Sequence, residues 1–372
     1  MLALTGFPLQ IVASLLAVAA FVATMWLWPR FGSKSWKAVL GRIGAFFATQ
    51  LMVIVAMALI ANSYFGFYST WTDLLGTAGG NGTVVDHNPS HAISVTGTQK
   101  VYSAQGSAED RSGLIQQVEV AGARSGLRSD AFVYLPPQYF QPDYAKHRFP
   151  MALVLSGYPG TAEKLISLMQ WPTTTLEAIN TKQLQPTILV MMRPSPIANR
   201  DTECMDVPGG PQVETFFTDD LPKAMSSGYR IAPQASAHAA MGDSTGGYCA
   251  LKFALRKPDA YGAAVALSAD YAVSNDPTTG DLFGGSEQLK QENDLLWRLR
   301  TQPAAPVSLL LATSYNEDNY QATQNMVAAF KAPTKLSTIT LNSGGHNFHT
   351  WNREIPPALA WLNRQLVVPQ SA

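Results

Sequence analysis

The stretch Met241-Gly242-Asp243-Ser244-Thr245-Gly246-Gly247 sets a serine between glycines two residues to either side. A short apolar run, Ala237 to Met241, precedes it, and a helical pattern begins near Gly246. A strand-to-helix turn this tight forces the central residue into strained backbone and leaves no room for side chains at the flanking positions. It lifts the Ser244 hydroxyl clear of the sheet at a helix N-terminus, where amide N–H groups favour developing negative charge. Such a serine needs a base. His346 stands in Asn342-Ser343-Gly344-Gly345-His346-Asn347-Phe348, directly after the last strand pattern, and the Gly-Gly lead lets that loop approach closely. His349 lacks that lead, His87 and His91 lie in a tether, His147 precedes an early strand, and His238 sits inside a strand as a core residue.

An acid must orient the imidazole and stabilise its charged form. Glu317 and Asp318 come just past the strand run Val307 to Ala312. Glu317 is the choice, Asp318 the alternative, and Asp270, at the end of the preceding strand, a weaker third. The chain order Ser, acid, His is that of one large hydrolase fold. Two donors are needed for an oxyanion. The Thr245 amide supplies one, and Tyr158, in the loop Ser156-Gly157-Tyr158-Pro159-Gly160, is the best placed second.

Apolar runs of strand length recur at Met151 to Leu155, Thr187 to Met192, Ala237 to Met241, Ala263 to Leu267 and Val307 to Ala312. Gln116 to Val120 and Asp130 to Leu135 read as a β-pair, and Lys335 to Leu341 as a last alternating strand. Helical patterns lie between, at Ala162 to Met169, Val213 to Met225, Gly246 to Arg256, Tyr320 to Phe330 and Pro356 to Leu366. The alternation predicts an α/β domain, a mostly parallel central sheet flanked by helices, over residues 114–372. Residues 76–113, rich in Gly, Ser, Thr and Asn, read as a flexible linker; their Asn81-Gly82-Thr83 sequon carries little weight.

Residues 1–75 read as a membrane anchor. Phe7 to Trp28 and Ile43 to Ala61 carry no charge and are each long enough to cross a bilayer as a helix. No basic stretch precedes the first and no small-residue cleavage site follows it, so two retained transmembrane helices are expected. The connector carries Arg30, Lys34, Lys37 and Arg42 and no acid, which predicts a cytoplasmic loop with both termini and the α/β domain outside. Trp26 and Trp28 mark one interface, and Tyr64, Phe65, Phe67, Tyr68 and Trp71 the other. In an exported domain the two cysteines, Cys204 and Cys249, could form a disulfide. With 26 basic and 26 acidic residues there is no basic surface for nucleic acid, and no His/Cys cluster has metal spacing.

Taken together, Val133-Tyr134-Leu135-Pro136-Pro137, Leu155-Ser156-Gly157-Tyr158, the Ser244 turn and Gly344-Gly345-His346-Asn347-Phe348 with Trp351 resemble the esterase-D and mycolyltransferase family of α/β hydrolases. The resemblance spans most of Ile115 to Leu366. It implies an α/β-hydrolase fold, a Ser244–Glu317–His346 triad, donors at Tyr158 and Thr245, and no cofactor. With the two expected helices and their basic loop, the chain reads as a bacterial cell-membrane protein with its active domain extracytoplasmic. Members include carboxylesterases, mycolyl transferases and hydrolases of aminoacyl-phosphatidylglycerol. The retained helices and the Ser-Gly-Tyr-Pro-Gly loop depart from the secreted mycolyltransferases. So does Asn199-Arg200-Asp201-Thr202-Glu203-Cys204, expected at the rim of the site, where a Cys204–Cys249 bridge would clamp it to the nucleophile helix. The expected activity is serine esterase or acyltransferase on a lipid or cell-envelope ester. A catalytically silent binding module or a serine peptidase are the alternatives.

Overall fold

The structure is a computed structural model that describes residues 4, 6–65, 71–75, 92–104, 106–197, 200–274 and 277–368. The Asn81 sequon, His87, His91, Phe67 and Tyr68 fall outside the described residues, as do the side chains of Tyr64 and Phe65. The chain forms two compact units, Met1–Asp86 and His87–Ala372.

The first unit is a helical hairpin of α1 (Phe7–Leu27) and α2 (Trp36–Phe65). Both helices are long and apolar enough to cross a membrane. Their large side chains, such as Leu15, Phe21, Phe47 and Ile54, point away from the protein. The contact between them uses small residues, with Ala13, Ala17 and Ala56 buried together. The Thr24 and Thr49 hydroxyls hydrogen-bond across it at 2.8 Å. Small residues with hydroxyl pairs are how helices pack where the surroundings are as apolar as leucine. The second helix is longer than the uncharged run at 43–61, so Lys37 and Arg42 lie on its first two turns and not in a loop. The uncharged run is the length that a hydrocarbon crossing would need, whereas the helix continues past it.

The second unit holds nine strands in the order β1-β2-β3-β5-β4-β6-β7-β8-β9. They are β1 (Ile93–Lys100), β2 (Leu114–Ala121), β3 (Arg128–Leu135), β4 (Met151–Leu155), β5 (Ile188–Met192), β6 (His238–Asp243), β7 (Ala263–Leu267), β8 (Ser308–Ser314) and β9 (Lys335–Leu341). The first three and β5 pair antiparallel in turn, and every pairing from β5 to β9 is parallel. The fold class is the expected one.

The apolar strands read as continuous runs because both faces are covered. Met151, Leu153 and Leu155 of β4 point into one core, and Ala152 and Val154 into the other. Ile188, Val190 and Met192 of β5 alternate with Leu189 and Met191 in the same way. One core is capped by α4 (Leu221–Gly228), α5 (Thr245–Arg256) and α6 (Tyr320–Ala329), through Leu221, Leu251, Phe253 and Met326. The other is capped by α3 (Trp171–Asn180) and α7 (Phe348–Asn363), through Trp171, Leu176, Ile355 and Leu359.

Two expectations need correction. The region read as linker contains β1, which joins the sheet edge through Ile93 to Lys100, so the sheet begins upstream of residue 114. Its side chains are mostly exposed, so no apolar alternation marks it; backbone pairing to β2 holds it. The last helix starts at Phe348, eight residues before the predicted Pro356. Prolines favour a helix's first turn, but here Pro356 and Pro357 lie inside it. The buried series Trp351, Ile355, Ala358, Leu359 and Leu362 keeps the helix on the sheet despite the lost N–H donors.

Candidate functional site

Parallel strands all finish at one edge, and the registers decide which loops meet there. Leu155 at the end of β4 pairs with Gly242 near the end of β6, so the Ser156–Gly160 loop and the serine turn leave the sheet side by side. Asp243 pairs with Leu267 at the end of β7, and Ser314 of β8 with Leu341 of β9. The loops carrying Asp270, Glu317 and His346 therefore rise from successive neighbouring strands.

Ser244 has φ +50° and ψ −125°, a conformation that costs a non-glycine residue on the order of 1–3 kcal/mol. Its amide donates to Leu267 O at 3.0 Å, and its carbonyl accepts from Tyr248 N at 3.0 Å, which fastens the turn to β7 and to α5. A methyl group on Gly242 would lie 2.6 Å from Leu155 O, and one on Gly246 would lie 2.3 Å from the same oxygen. That contact is why the serine is flanked by glycines.

His346 Nε2 lies 2.9 Å from Ser244 Oγ. The imidazole is about half exposed, at 49%, with Trp351 edge-on at 5.1 Å between ring centroids. Its loop is held by the start of α7. Asn347 caps that helix by accepting from Thr350 N at 3.1 Å, and the Gly345 amide donates to the Thr350 hydroxyl at 3.0 Å. On the far side of the ring, Nδ1 is 3.6 Å from Glu317 Oε1, an ion-pair separation longer than a hydrogen bond. Contacts of this kind tighten when the imidazole takes up a proton. The second Glu317 oxygen accepts from Ser314 N at 3.2 Å.

Glu317 is buried, whereas Asp318 and Asp270 are exposed, and neither of these makes an ion pair with His346 among the described residues. Burial pushes the Glu317 carboxyl up, but His346, the Ser268 hydroxyl and the Ser314 amide outweigh it and hold the pKa below the ordinary range. The same Glu317 contact raises His346 above the usual imidazole value against the pull of burial. The remaining histidines stay apart. His238 is buried with its ring nitrogens on Ala260 O and Ala232 O at 3.2 and 2.7 Å, and His147 and His349 are exposed.

Neither the Tyr158 nor the Thr245 amide has a protein acceptor among the described residues. Both are free to bind an oxyanion. Asp243, between Gly242 and the nucleophile, is buried, and Glu354 of α7 is wholly buried with neither carboxyl oxygen hydrogen-bonded among the described residues. Burial, with the nearby Glu317 charge, pushes Glu354 up to about 8. The motif displayed Asp243 without hinting at its burial, and nothing around Glu354 marks it in the sequence.

Cys204 and Cys249 are joined in a disulfide with their Cα atoms 5.8 Å apart. Of the segment expected at the rim, Asn199 lies outside the described residues and Arg200 is half-buried, whereas Asp201, Thr202, Glu203 and Cys204 are interior, all at most 2% exposed. The bridge ties that buried segment to α5, and the Lys252 ammonium, one turn on, donates to Glu203 O at 2.5 Å. A cavity of about 490 Å³ opens beside His346, lined by Asp270, Asn316, Glu317, Asp318 and Asn319 and, among the described residues, by no Lys or Arg.

Comparison with known proteins follows the same outline. An uncharacterized protein of Corynebacterium glutamicum is 24% identical over 272 residues, 68% of this chain and 62% of that protein. The chain thus spans about three-fifths of that relative's length. The MPT51/MPB51 antigen of Mycobacterium tuberculosis is 35% identical over 80 residues, 22% of this chain and 26% of its own. An S-formylglutathione hydrolase of Agrobacterium tumefaciens superposes with TM-score 0.60 at 16% identity, over 73% of this chain and 99% of its own. A fluorophosphonate-binding serine hydrolase of Staphylococcus aureus gives TM-score 0.54 at 16% identity, over 66% and 96%. These two likenesses establish the α/β-hydrolase fold. Residues 122–362 match the family described as "Putative esterase", and with most of the chain inside that match, the protein belongs to this esterase family.

Proposed function

We propose that this protein is a serine esterase or acyltransferase that works through an acyl-enzyme on Ser244. The observation that carries the reading is the 2.9 Å approach of His346 Nε2 to Ser244 Oγ at a strained turn. With Glu317 on the Nδ1 side, the ring proton belongs on Nδ1, so Nε2 accepts from the serine hydroxyl. Ser244 Oγ attacks the ester carbonyl while His346 takes the proton, and Tyr158 N–H and Thr245 N–H hold the oxyanion. His346 then protonates the departing alcohol, and water or a second alcohol releases the acyl group by the reverse steps. This chemistry uses no metal or organic cofactor.

The substrate in this reading is a lipid or cell-envelope ester. Two apolar helices anchor the protein in the membrane, with both termini and the catalytic unit on the extracytoplasmic side. The Arg30–Arg42 basic cluster and the disulfide support that orientation. The acidic lining beside His346 favours an ester with a positively charged group, as in an aminoacyl-phospholipid, over a neutral glycolipid ester.

Ser244→Ala tests the reading. Hydrolysis of a p-nitrophenyl ester by the full-length chain should fall at least about 10³-fold in that variant. Undiminished turnover contradicts the assignment. A silent binding module predicts no hydrolysis by wild type, and a peptidase predicts faster cleavage of the matched anilide than of the ester.

A further inference from the structure

Asp243 stands directly before the nucleophile, and the acyl-transfer steps give it no part. Its side chain is 2% exposed. Oδ2 accepts a hydrogen bond from Gly157 N at 2.9 Å, and Oδ1 has no partner among the described residues. A buried carboxyl with a single hydrogen bond is costly to keep, so that bond has a task to explain. Gly157 itself is wedged in place, since a methyl added to it would lie 2.9 Å from Ser244 Cβ and 3.0 Å from Asp243 Oδ2. The loop therefore touches the nucleophile through residue 157, and the carboxyl next to the nucleophile grips that residue's amide. The next amide along is Tyr158, which has no protein acceptor among the described residues.

We infer that Asp243 is a positioning residue, whose carboxyl holds the Gly157 amide so that the Tyr158 N–H is fixed where the oxyanion forms. The inference rests on the proposed serine-esterase reading and adds the element that aims its oxyanion site. Consuming the Gly157 N–H within the protein leaves one amide of the pair for substrate, and gluing both loops to one residue makes their spacing a property of the nucleophile turn. Burial pushes Asp243 up to about 7, so near neutrality the grip does not depend on a full charge. A carboxamide oxygen serves as the same acceptor.

The test compares Asp243→Ala with Asp243→Asn in the full-length protein, using steady-state p-nitrophenyl ester kinetics. Losing one aligned oxyanion donor costs about 10²–10³ in kcat, and that is the expected loss for Asp243→Ala. KM stays within about threefold of wild type, because the ground-state carbonyl does not rely on that donor. Asp243→Asn stays within about tenfold of wild type in kcat, since it restores the acceptor. A trifluoromethyl ketone, which presents a tetrahedral oxyanion, loses affinity for Asp243→Ala in proportion to kcat/KM.

Should Asp243→Ala fail to fold, Gly157→Ala displaces the same loop from the opposite side, and the same kcat loss at unchanged KM is expected. Wild-type kcat in a folded Asp243→Ala or in Gly157→Ala, a loss confined to KM, or an Asp243→Asn enzyme as slow as Asp243→Ala overturns the inference. Wild type and Ser244→Ala run alongside separate the two levels. An inactive wild type overturns the esterase reading itself, whereas an active wild type with an unaffected Asp243→Ala overturns the positioning role alone.

Discussion

Glu317 is pulled in two directions, upward by its burial and downward by His346, and the second prevails. A carboxylate held charged beneath an imidazole raises that imidazole's pKa, so the base accepts a proton readily yet must be neutral to act. The sign is definite. As pH falls through the raised His346 value, the base is lost and kcat/KM declines. Glu317→Gln removes the charge, so this acid limb should move to lower pH while kcat drops by about 10²–10⁴. A pH profile of kcat/KM checks it, and an unmoved limb would show that Glu317 is not the charge His346 feels. Ser244 and His346 were legible because glycine spacing and chain order carry their geometry. Glu317 and Asp318 were not separable by sequence. They are neighbours on one loop, and only the turn that Ser314 O makes with Glu317 N directs the first inward and leaves the second in solvent.

At the scale of elements, the fully buried β4 and β7 match their predicted bounds, as does the half-buried, alternating β9. Elements whose stability comes from position left no such trace. β1 is held by pairing at the sheet edge, and α3, which shares a core with β4 and β5, lies where no element was expected. The last helix was misplaced because its prolines resemble a start signal. That helix carries a consequence of its own in Glu354. Its folded pKa of about 8 lies above the ordinary carboxyl value, so the folded state retains a proton the unfolded chain releases. The stabilising effect of that proton is complete below about pH 4 and is lost progressively up to about pH 8, by a total on the order of a few kcal/mol. Gln at 354 cannot ionise. Glu354→Gln should therefore gain stability over wild type as pH rises from 5 to 8.5. Urea unfolding at both pH values measures this, and a difference that stays constant with pH contradicts the buried, protonated state. The disulfide acts at this scale too. By closing 45 residues it limits the unfolded chain by an amount on the order of 4 kcal/mol.

At the scale of the molecule, one sheet edge gathers five loops, and the alternation of apolar runs and helical patterns foretold that gathering without its strand order. The order matters, because β6 lies beside β4 and so brings the serine turn against the loop of Tyr158. The two compact units suggest a division of labour between chemistry and placement. A chain beginning at His87 should keep wild-type kcat/KM on a soluble p-nitrophenyl ester, since every residue of the site lies beyond that point. Against an aminoacyl-phospholipid in vesicles, the full chain reconstituted into the same vesicles should exceed the truncated one by about 10²-fold, the order that co-localisation provides. Equal rates on vesicles would remove the anchor from the account of substrate choice. The central claim is that Ser244 is the nucleophile made reactive by His346. Its most direct test is treatment of wild type with a fluorophosphonate, followed by mass spectrometry of the digested protein. The account predicts a single phosphonyl adduct on Ser244, lost in His346→Ala; an adduct elsewhere, or none on a folded wild-type protein, contradicts it.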